Sequence, residues 1–209
     1  MRNRPIHNRL IQLESLLLYF DAIVPDYKLE PWNLNLVPKE GDYNDEYKNV
    51  DNFIVTDTKF LNQIEICDLI RISEDSIYLY HVKKELGRDM RVLSNQIVNA
   101  ARILKSAINE SDNALLKKYY STVAKNYEDD EIIYKRDGES ISVEESDFID
   151  LFKTKTIVFV FSYSSASDVA IKEEIIATNS RIAKLSLLYC MRDMRITNFS
   201  LLIERISQV

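Results

Sequence analysis

Two neighbouring β-prone segments of the sequence carry side chains of the kinds that bind metal ions or handle protons. Glu65 and Asp68 lie in the first segment, and His81 and Lys83 lie in the second. Carboxylate oxygens are hard ligands that suit Mg²⁺, and a histidine can bind a metal or serve as a base. In isolation, however, an Asp and a Lys on neighbouring strands more often form a solvated cross-strand pair than a metal site.

Spacing decides which of these side chains can meet. Positions 81 and 83 are two residues apart, so on a strand both side chains point to the same face of the sheet. Glu65 and Asp68 are three residues apart, so a regular strand sends them to opposite faces. A bulge would be needed to bring these two carboxylates together.

Basic side chains follow these segments directly. Lys84, Arg88, Arg91 and Arg102 surround the start of the next predicted helix. Free backbone N–H groups at a helix N-terminus attract phosphate, so a nucleic-acid-binding surface is one interpretation. The other is a solvated helix face, which charge alone favours slightly.

Hydrophobic periodicity predicts the elements that must position these residues. Residues 64–72 and 77–83, separated by a polar turn at 73–76, are typical of a β-hairpin. A strand at 53–55 precedes the hairpin. The pattern also predicts helices at 8–22, 89–107, 113–127 and 180–193, a central strand at 156–163 and a final strand at 196–206. The helix at 89–107 must cover the sheet with an apolar face that includes Val92, so we expect a set of buried core residues: Leu93, Ile97, Leu104, Val158 and Val160.

Composition bounds the fold and its environment. The chain has 209 residues, 46% hydrophobic and 29% charged, which favours one α/β domain over residues 1–209. A long loop is predicted at about 25–52, where prolines, Asp and Asn are frequent. An acidic helical insertion is predicted at about 110–150, where 12 acidic residues outnumber 5 basic ones. We expect no membrane partner and a cytoplasmic location, since the apolar runs are short and the two cysteines belong to no paired motif.

Several enzyme classes are excluded by motif. The sequence has no G-x-S-x-G nucleophile motif and no glycine-rich phosphate loop, and it contains only three glycines. A closed structural zinc site is not expected from two histidines and two cysteines. The formal net charge of −6 argues against a generally basic nucleic-acid binder but leaves room for a local basic patch.

The predicted element order, helix, three strands, helix and strand, resembles the αβββαβ core of the PD-(D/E)xK superfamily, the restriction-endonuclease-like fold. That resemblance implies an Asp on one hairpin strand, and an acid and a lysine two apart on the next, around Mg²⁺ or Mn²⁺. It assigns Asp68, His81 and Lys83 as catalytic residues, and Asp68 with Glu65 or Glu14 as metal ligands. This sequence has His81 where the superfamily pattern has an acidic residue.

A narrower resemblance rests on four short segments. E-G-D-Y-N at 40–44, I-E-I-C-D-L at 64–69, H-V-K-K at 81–84 and L-S at 93–94 are similar to a sporadically distributed, uncharacterised bacterial family often found near defence genes. This sequence has Asn95 and Asn99 where that family has His and Gln. The resemblance implies a defence context.

Three interpretations of function remain open at this point. The first is a metal-dependent nuclease that acts on nucleic acid in bacterial defence. The second is a non-catalytic module of the same fold that binds nucleic acid or protein. The third is an unrelated α/β interaction protein, such as a homo-oligomer or a subunit of a larger complex.

Overall fold

The structure is a computed structural model that describes residues 27–87 and 90–209, and this part of the chain holds nine strands and six α-helices. The strands are β1 (Phe53–Val55), β2 (Phe60–Leu61), β3 (Ile64–Glu65), β4 (Leu69–Ile72), β5 (Ser76–Lys83), β6 (Ile133–Arg136), β7 (Glu139–Ser142), β8 (Thr156–Ser165) and β9 (Ser200–Ser207). The helices are α1 (Glu40–Glu46), α2 (Met90–Asn109), α3 (Ala114–Ala124), α4 (Glu145–Thr154), α5 (Ile171–Ala177) and α6 (Arg181–Thr197). The helix predicted at 8–22 lies outside the described residues.

A five-stranded mixed sheet forms the centre of the fold, which confirms the predicted mixed α/β class. Its strand order is β1-β4-β5-β8-β9. The first three strands pair antiparallel, and β5, β8 and β9 pair parallel. β8 lies between two parallel neighbours and is buried along most of its length, as expected for an apolar central strand.

Helices cover one face of the sheet. α2 and α6 pack against each other, and their apolar sides join a cluster with strand residues such as Leu79 and Phe159. Leu93, Ile97 and Leu104 were predicted to be core residues, and each is at most 1% exposed. Val92, predicted to lie on the same apolar face, is instead 59% exposed.

Aromatic residues that precede β1 cover the opposite face. Trp32, Tyr43 and Tyr47 are fully buried and pack in one cluster with Val158 and Val160 of β8. Val158 and Val160 are therefore buried as predicted, although against this layer and not against the helices. The prediction of a long loop at about 25–52 is wrong in part. The aromatic residues of this segment fold it onto the sheet, and α1 forms within it.

The predicted hairpin is correct only in its second half. β4 pairs with β5, with Leu69 opposite Tyr80 and Ile72 opposite Ile77. Ile64 and Glu65 pair instead with β2, in a separate two-stranded ribbon. The segment 64–72 is thus two short strands separated by an irregular stretch at 66–68. Asp68, one of the predicted site residues, lies in this stretch.

Two further boundaries differ from the prediction for local reasons. The acidic insertion at about 110–150 contains a β-hairpin, β6–β7, as well as helices, because Asp137 and Gly138 form its turn with φ of 54° and 81°. Towards the C-terminus, α6 continues to Thr197, past the predicted end at 193. Asn198 then ends this helix in the left-handed conformation, at φ 63°, so that the final strand starts only at Ser200.

Glu204 of β9 fastens the aromatic layer to the sheet. Its carboxylate accepts hydrogen bonds from the Leu29 backbone N–H at 2.7 Å and from the Ser162 hydroxyl at 3.1 Å. The side chain is 4% exposed, and burial raises the pKa of Glu204 from 4.5 to about 7. The folded protein therefore binds the Glu204 proton more tightly than the unfolded chain does.

This shift predicts a pH-dependent stability. A raised carboxyl pKa in the folded state favours folding at low pH, and this advantage is lost as pH rises from about 4.5 through about 7. Glu204→Gln keeps an acceptor but cannot ionise, so we expect its gain in unfolding free energy to be about 2–3 kcal/mol larger at pH 8 than at pH 5. Urea unfolding at both pH values measures this, with exposed Glu173→Gln as the control. An equal effect of Glu204→Gln at both pH values would contradict the assignment.

Candidate metal centre

Three carboxylates converge at the end of the sheet where β1 stops and β4 starts. Asp57, Glu65 and Asp68 each offer an oxygen, and these atoms all lie within 4.8 Å of one another. Asp68 is buried, and the other two are half-buried. We call these three residues the acidic cluster.

Asp68 is the most firmly held member of the acidic cluster. Its backbone N–H donates to the Tyr80 carbonyl at 2.8 Å, which extends the β4–β5 ladder by one residue. Its Oδ2 accepts the backbone N–H of Val82 at 2.6 Å. The Asp68 side chain thus takes the place of a backbone carbonyl in the ladder, and this fixes the direction of the carboxylate.

Glu65 reaches Asp68 because the chain between β3 and β4 is not a regular strand. A bulge was expected to be necessary to bring Glu65 and Asp68 together, and the irregular stretch at 66–68 has this effect. Glu65 Oε1 accepts the Thr58 backbone N–H at 2.7 Å. This bond holds Glu65 towards the cluster from the loop that joins β1 and β2.

Asp57 is the site residue that the sequence interpretation missed. It lies two residues after the end of β1, and the backbone N–H of the intervening Thr56 donates to the Asp68 carbonyl at 2.8 Å. A Cβ atom at Gly41 would lie 3.0 Å from Asp57 Oδ2, so α1 can approach this carboxylate closely because position 41 has no side chain. The sequence signal for Asp57 was its position as an acidic residue just after the predicted strand at 53–55.

Asn44 of α1 adds an amide to the acidic cluster. Its side chain is 1% exposed and hydrogen-bonds to Asp57. Among the residues that the structure describes, its Oδ1 atom has no hydrogen-bond partner. The three carboxylates, with the Asn44 amide beside Asp57, are an oxygen-rich group of the kind that suits Mg²⁺ or Mn²⁺.

Burial raises the pKa of all three carboxyl groups. Desolvation is the largest cause in each case; the charge of Glu65 adds to it at Asp68, and the charge of Asp57 adds to it at Glu65. Asp57 and Asp68 also hydrogen-bond to each other, which requires one of them to carry a proton. A divalent cation bound to the acidic cluster would therefore compete with protons for the carboxylate oxygens.

Lys83 lies at the rim of the acidic cluster, on β5. Its Nζ atom is 2.7 Å from Glu40 Oε2 of α1. Burial lowers the pKa of Lys83, but the hydrogen bond to Glu40 and the nearby charge of Asp68 outweigh this and raise the pKa above its ordinary value. Lys83 is therefore a fixed positive charge beside the carboxylates.

His81, two residues before Lys83, is not a member of the acidic cluster. Its ring is 1% exposed and stacks on Phe159, with ring centroids 6.2 Å apart. Burial and the charge of Lys83 lower the pKa of His81 to about 3, so the imidazole is neutral. Of the predicted site residues, the structure brings Asp68, Glu65 and Lys83 together and places His81 in the core.

Comparison with known proteins gives a family but no activity. The model of a family of unknown function, DUF6119, matches residues 8–207. The chain belongs to family DUF6119. No curated protein and no solved structure gives a significant match. Within the described residues, none of the helices of this DUF6119 chain has the length and apolar character to cross a membrane.

The predicted nucleic-acid-binding residues that the structure describes have different surroundings. Lys84 follows Lys83 at the rim, where its backbone N–H donates to Glu40 Oε1 at 3.0 Å. Arg91 is exposed at the start of α2 and lines a groove between α2 and α6. Arg102 lies farther along α2, 3.9 Å from Asp193 of α6. Arg88, like the candidate ligand Glu14, lies outside the described residues.

The acidic cluster predicts stoichiometric cation binding that is linked to protons. We expect one Mn²⁺ to bind per chain, with affinity that rises with pH because the cation competes with protons for the carboxylate oxygens. Asp57→Asn should weaken binding at least about tenfold because one charged ligand is lost. Isothermal titration calorimetry in two buffers of different ionisation enthalpy measures affinity and proton release together.

Asp42→Asn is the matched control for this titration, because Asp42 is an exposed acid on α1 outside the acidic cluster. Equal loss of affinity in the two variants would show that Mn²⁺ responds only to overall charge. Binding without proton release would contradict the raised pKa values.

Proposed function

We propose that the chain is a metal-dependent nuclease that hydrolyses phosphodiester bonds in nucleic acid. The observation that carries the proposal is the convergence of three carboxylates with a fixed lysine at one end of the sheet. A Mg²⁺ or Mn²⁺ ion bound there would polarise a phosphate oxygen and make a coordinated water more acidic.

The residues of the site have separate tasks in this proposal. Asp57, Glu65 and Asp68 would hold the cation, and the backbone donors Thr58 and Val82 keep two of these carboxylates in position. Lys83 would stabilise the negative charge that develops on the attacked phosphate. His81 is neutral and buried, so we give it no direct part in the chemistry.

The arrangement of elements supports the same proposal. β1, β4 and β5 form an antiparallel meander, α2 follows, and β8 returns parallel to β5. This order is similar to the βββαβ part of the PD-(D/E)xK core that the sequence resembles, with α3, β6, β7 and α4 inserted before β8. Asp57 supplies a third carboxylate, although the resembled pattern has its acid at position 81. The family resemblance described above extends the proposal to a role in bacterial defence.

Among the residues that the structure describes, no histidine belongs to the acidic cluster, and this affects the expected metal preference. With His81 as a ligand, Mn²⁺ would be favoured over Mg²⁺. The three carboxylates instead form an all-oxygen set, which suits Mg²⁺ as well. We therefore expect activity with either ion.

A second candidate is a non-catalytic module of the same fold that binds nucleic acid or a protein partner. The observation in its favour is His81, which stands where the resembled pattern has an acidic residue. In such a module the acidic cluster would have a structural role, and the basic residues Lys84 and Arg91 would contact phosphates.

A cleavage assay separates the two candidates. We expect Mg²⁺ or Mn²⁺ to permit cleavage of DNA or RNA, and Asp68→Asn and Lys83→Ala each to abolish it. The Asn substitution keeps an acceptor for the Val82 N–H, so the fold should survive, which circular dichroism checks. Asp75→Asn in the β4–β5 turn and Lys48→Ala after α1 are the controls, since Asp75 lies at the opposite end of β5 from Lys83 and neither residue belongs to the acidic cluster.

Other outcomes lead to different conclusions. The non-catalytic candidate predicts no cleavage with any metal, together with nucleic-acid binding that Lys84→Ala and Arg91→Ala weaken and make less salt-dependent. Neither cleavage nor binding at low salt would reject both and leave the protein-interaction interpretation.

A further inference from the structure

Glu40, the first residue of α1, holds two consecutive positions of the chain that leaves β5. Its Oε2 is 2.7 Å from Lys83 Nζ, and its Oε1 accepts the Lys84 backbone N–H at 3.0 Å. The two charged side chains are only 27% and 35% exposed. A carboxylate that uses both oxygens on neighbouring residues defines both where Lys83 lies and which way it points.

Glu40 can do this because α1 is docked firmly beside the acidic cluster. Tyr43 and Asn44 are each 1% exposed, and the Tyr43 hydroxyl donates to the Glu30 carbonyl at 2.6 Å. Gly41 lets the helix backbone come close to Asp57. The position of Glu40 is therefore set by packing, unlike that of a surface ion pair between two free side chains.

Carboxylates of the acidic cluster compete with Glu40 for the Lys83 ammonium group. Asp68 and Glu65 attract the same ammonium group. Without Glu40, Lys83 would move towards these carboxylates and act as their counter-ion. It would then occupy the space that a divalent cation needs.

We propose that Glu40 is a positioning residue that holds the Lys83 ammonium at the rim of the acidic cluster and so keeps the cluster open for a cation. This inference rests on the proposed function, since it assigns Glu40 a task in the same site. In this site Glu40 orients the lysine, and the acidic cluster binds the metal.

The test is a double-mutant cycle read out as Mn²⁺ affinity. Lys83→Met removes the ammonium and keeps most of the volume of the side chain. In the wild-type background we expect it to raise Mn²⁺ affinity less than about threefold, because Glu40 already holds the ammonium away. In the Glu40→Gln background the same change should raise affinity at least about tenfold, because there the lysine competes with the cation. Melting curves of each variant confirm that it is folded.

The control repeats the cycle with Asp42→Asn, an exposed acid on the same helix, and should show no coupling to Lys83→Met. Equal effects of Lys83→Met in the wild-type and Glu40→Gln backgrounds would overturn the proposal, as would the absence of Mn²⁺ binding to the wild type.

The cycle does not depend on cleavage, so it separates this inference from the proposed function. A coupled cycle in a protein that cuts nothing leaves the role of Glu40 intact and rejects the nuclease. If the wild type cleaves, Glu40→Gln should lower kcat with KM unchanged, since a mispositioned Lys83 weakens contact with the transition state and not with the bound substrate. A rise in KM alone would overturn the positioning role.

Discussion

Three carboxyl groups held within 4.8 Å of one another, largely away from water, impose the main physical constraint on this fold. Each loses hydration on folding, and the charges of Glu65 and Asp57 raise the pKa of Asp68 further. Such an arrangement destabilises the folded chain unless fixed donors, protons or a cation compensate. The surrounding structure is arranged to supply the donors.

Each compensating group comes from a different part of the chain. The Val82 N–H comes from the sheet, the Thr58 N–H from the loop after β1, and the Asn44 amide from α1. Lys83 supplies a positive charge that Glu40 keeps at the rim. A cation would offset the remaining repulsion, so the same carboxylates that weaken the protein without metal would strengthen it with metal. Groups that cost stability in this way are characteristic of functional sites.

The sequence was sufficient for the part of the site that lies on the strands. β-prone runs predicted Asp68 and Lys83 on neighbouring strands, and Asp68 in fact directly precedes β4 while Lys83 ends β5. The need to bring Glu65 across to Asp68 was visible from their spacing. Asp57 was not found, because its place in the cluster depends on the pairing of β1 with β4, which local periodicity does not encode. Glu40 and Asn44 belong to a segment interpreted as loop, and only the burial of Trp32, Tyr43 and Tyr47 against the sheet brings them to the site. His81 was misleading because its type suits chemistry, whereas its environment is apolar.

The crystallographic location of a bound cation would show most directly whether Asp57, Glu65 and Asp68 form a metal site. Crystals soaked in Mn²⁺ and measured at the manganese absorption edge would give an anomalous difference map that shows the ion itself. If these carboxylates form the metal site, one peak should lie within about 2.6 Å of an oxygen atom of each of Asp57, Glu65 and Asp68. A fully soaked crystal with no peak among these carboxylates, or with its strongest peak elsewhere on the protein, would contradict this assignment.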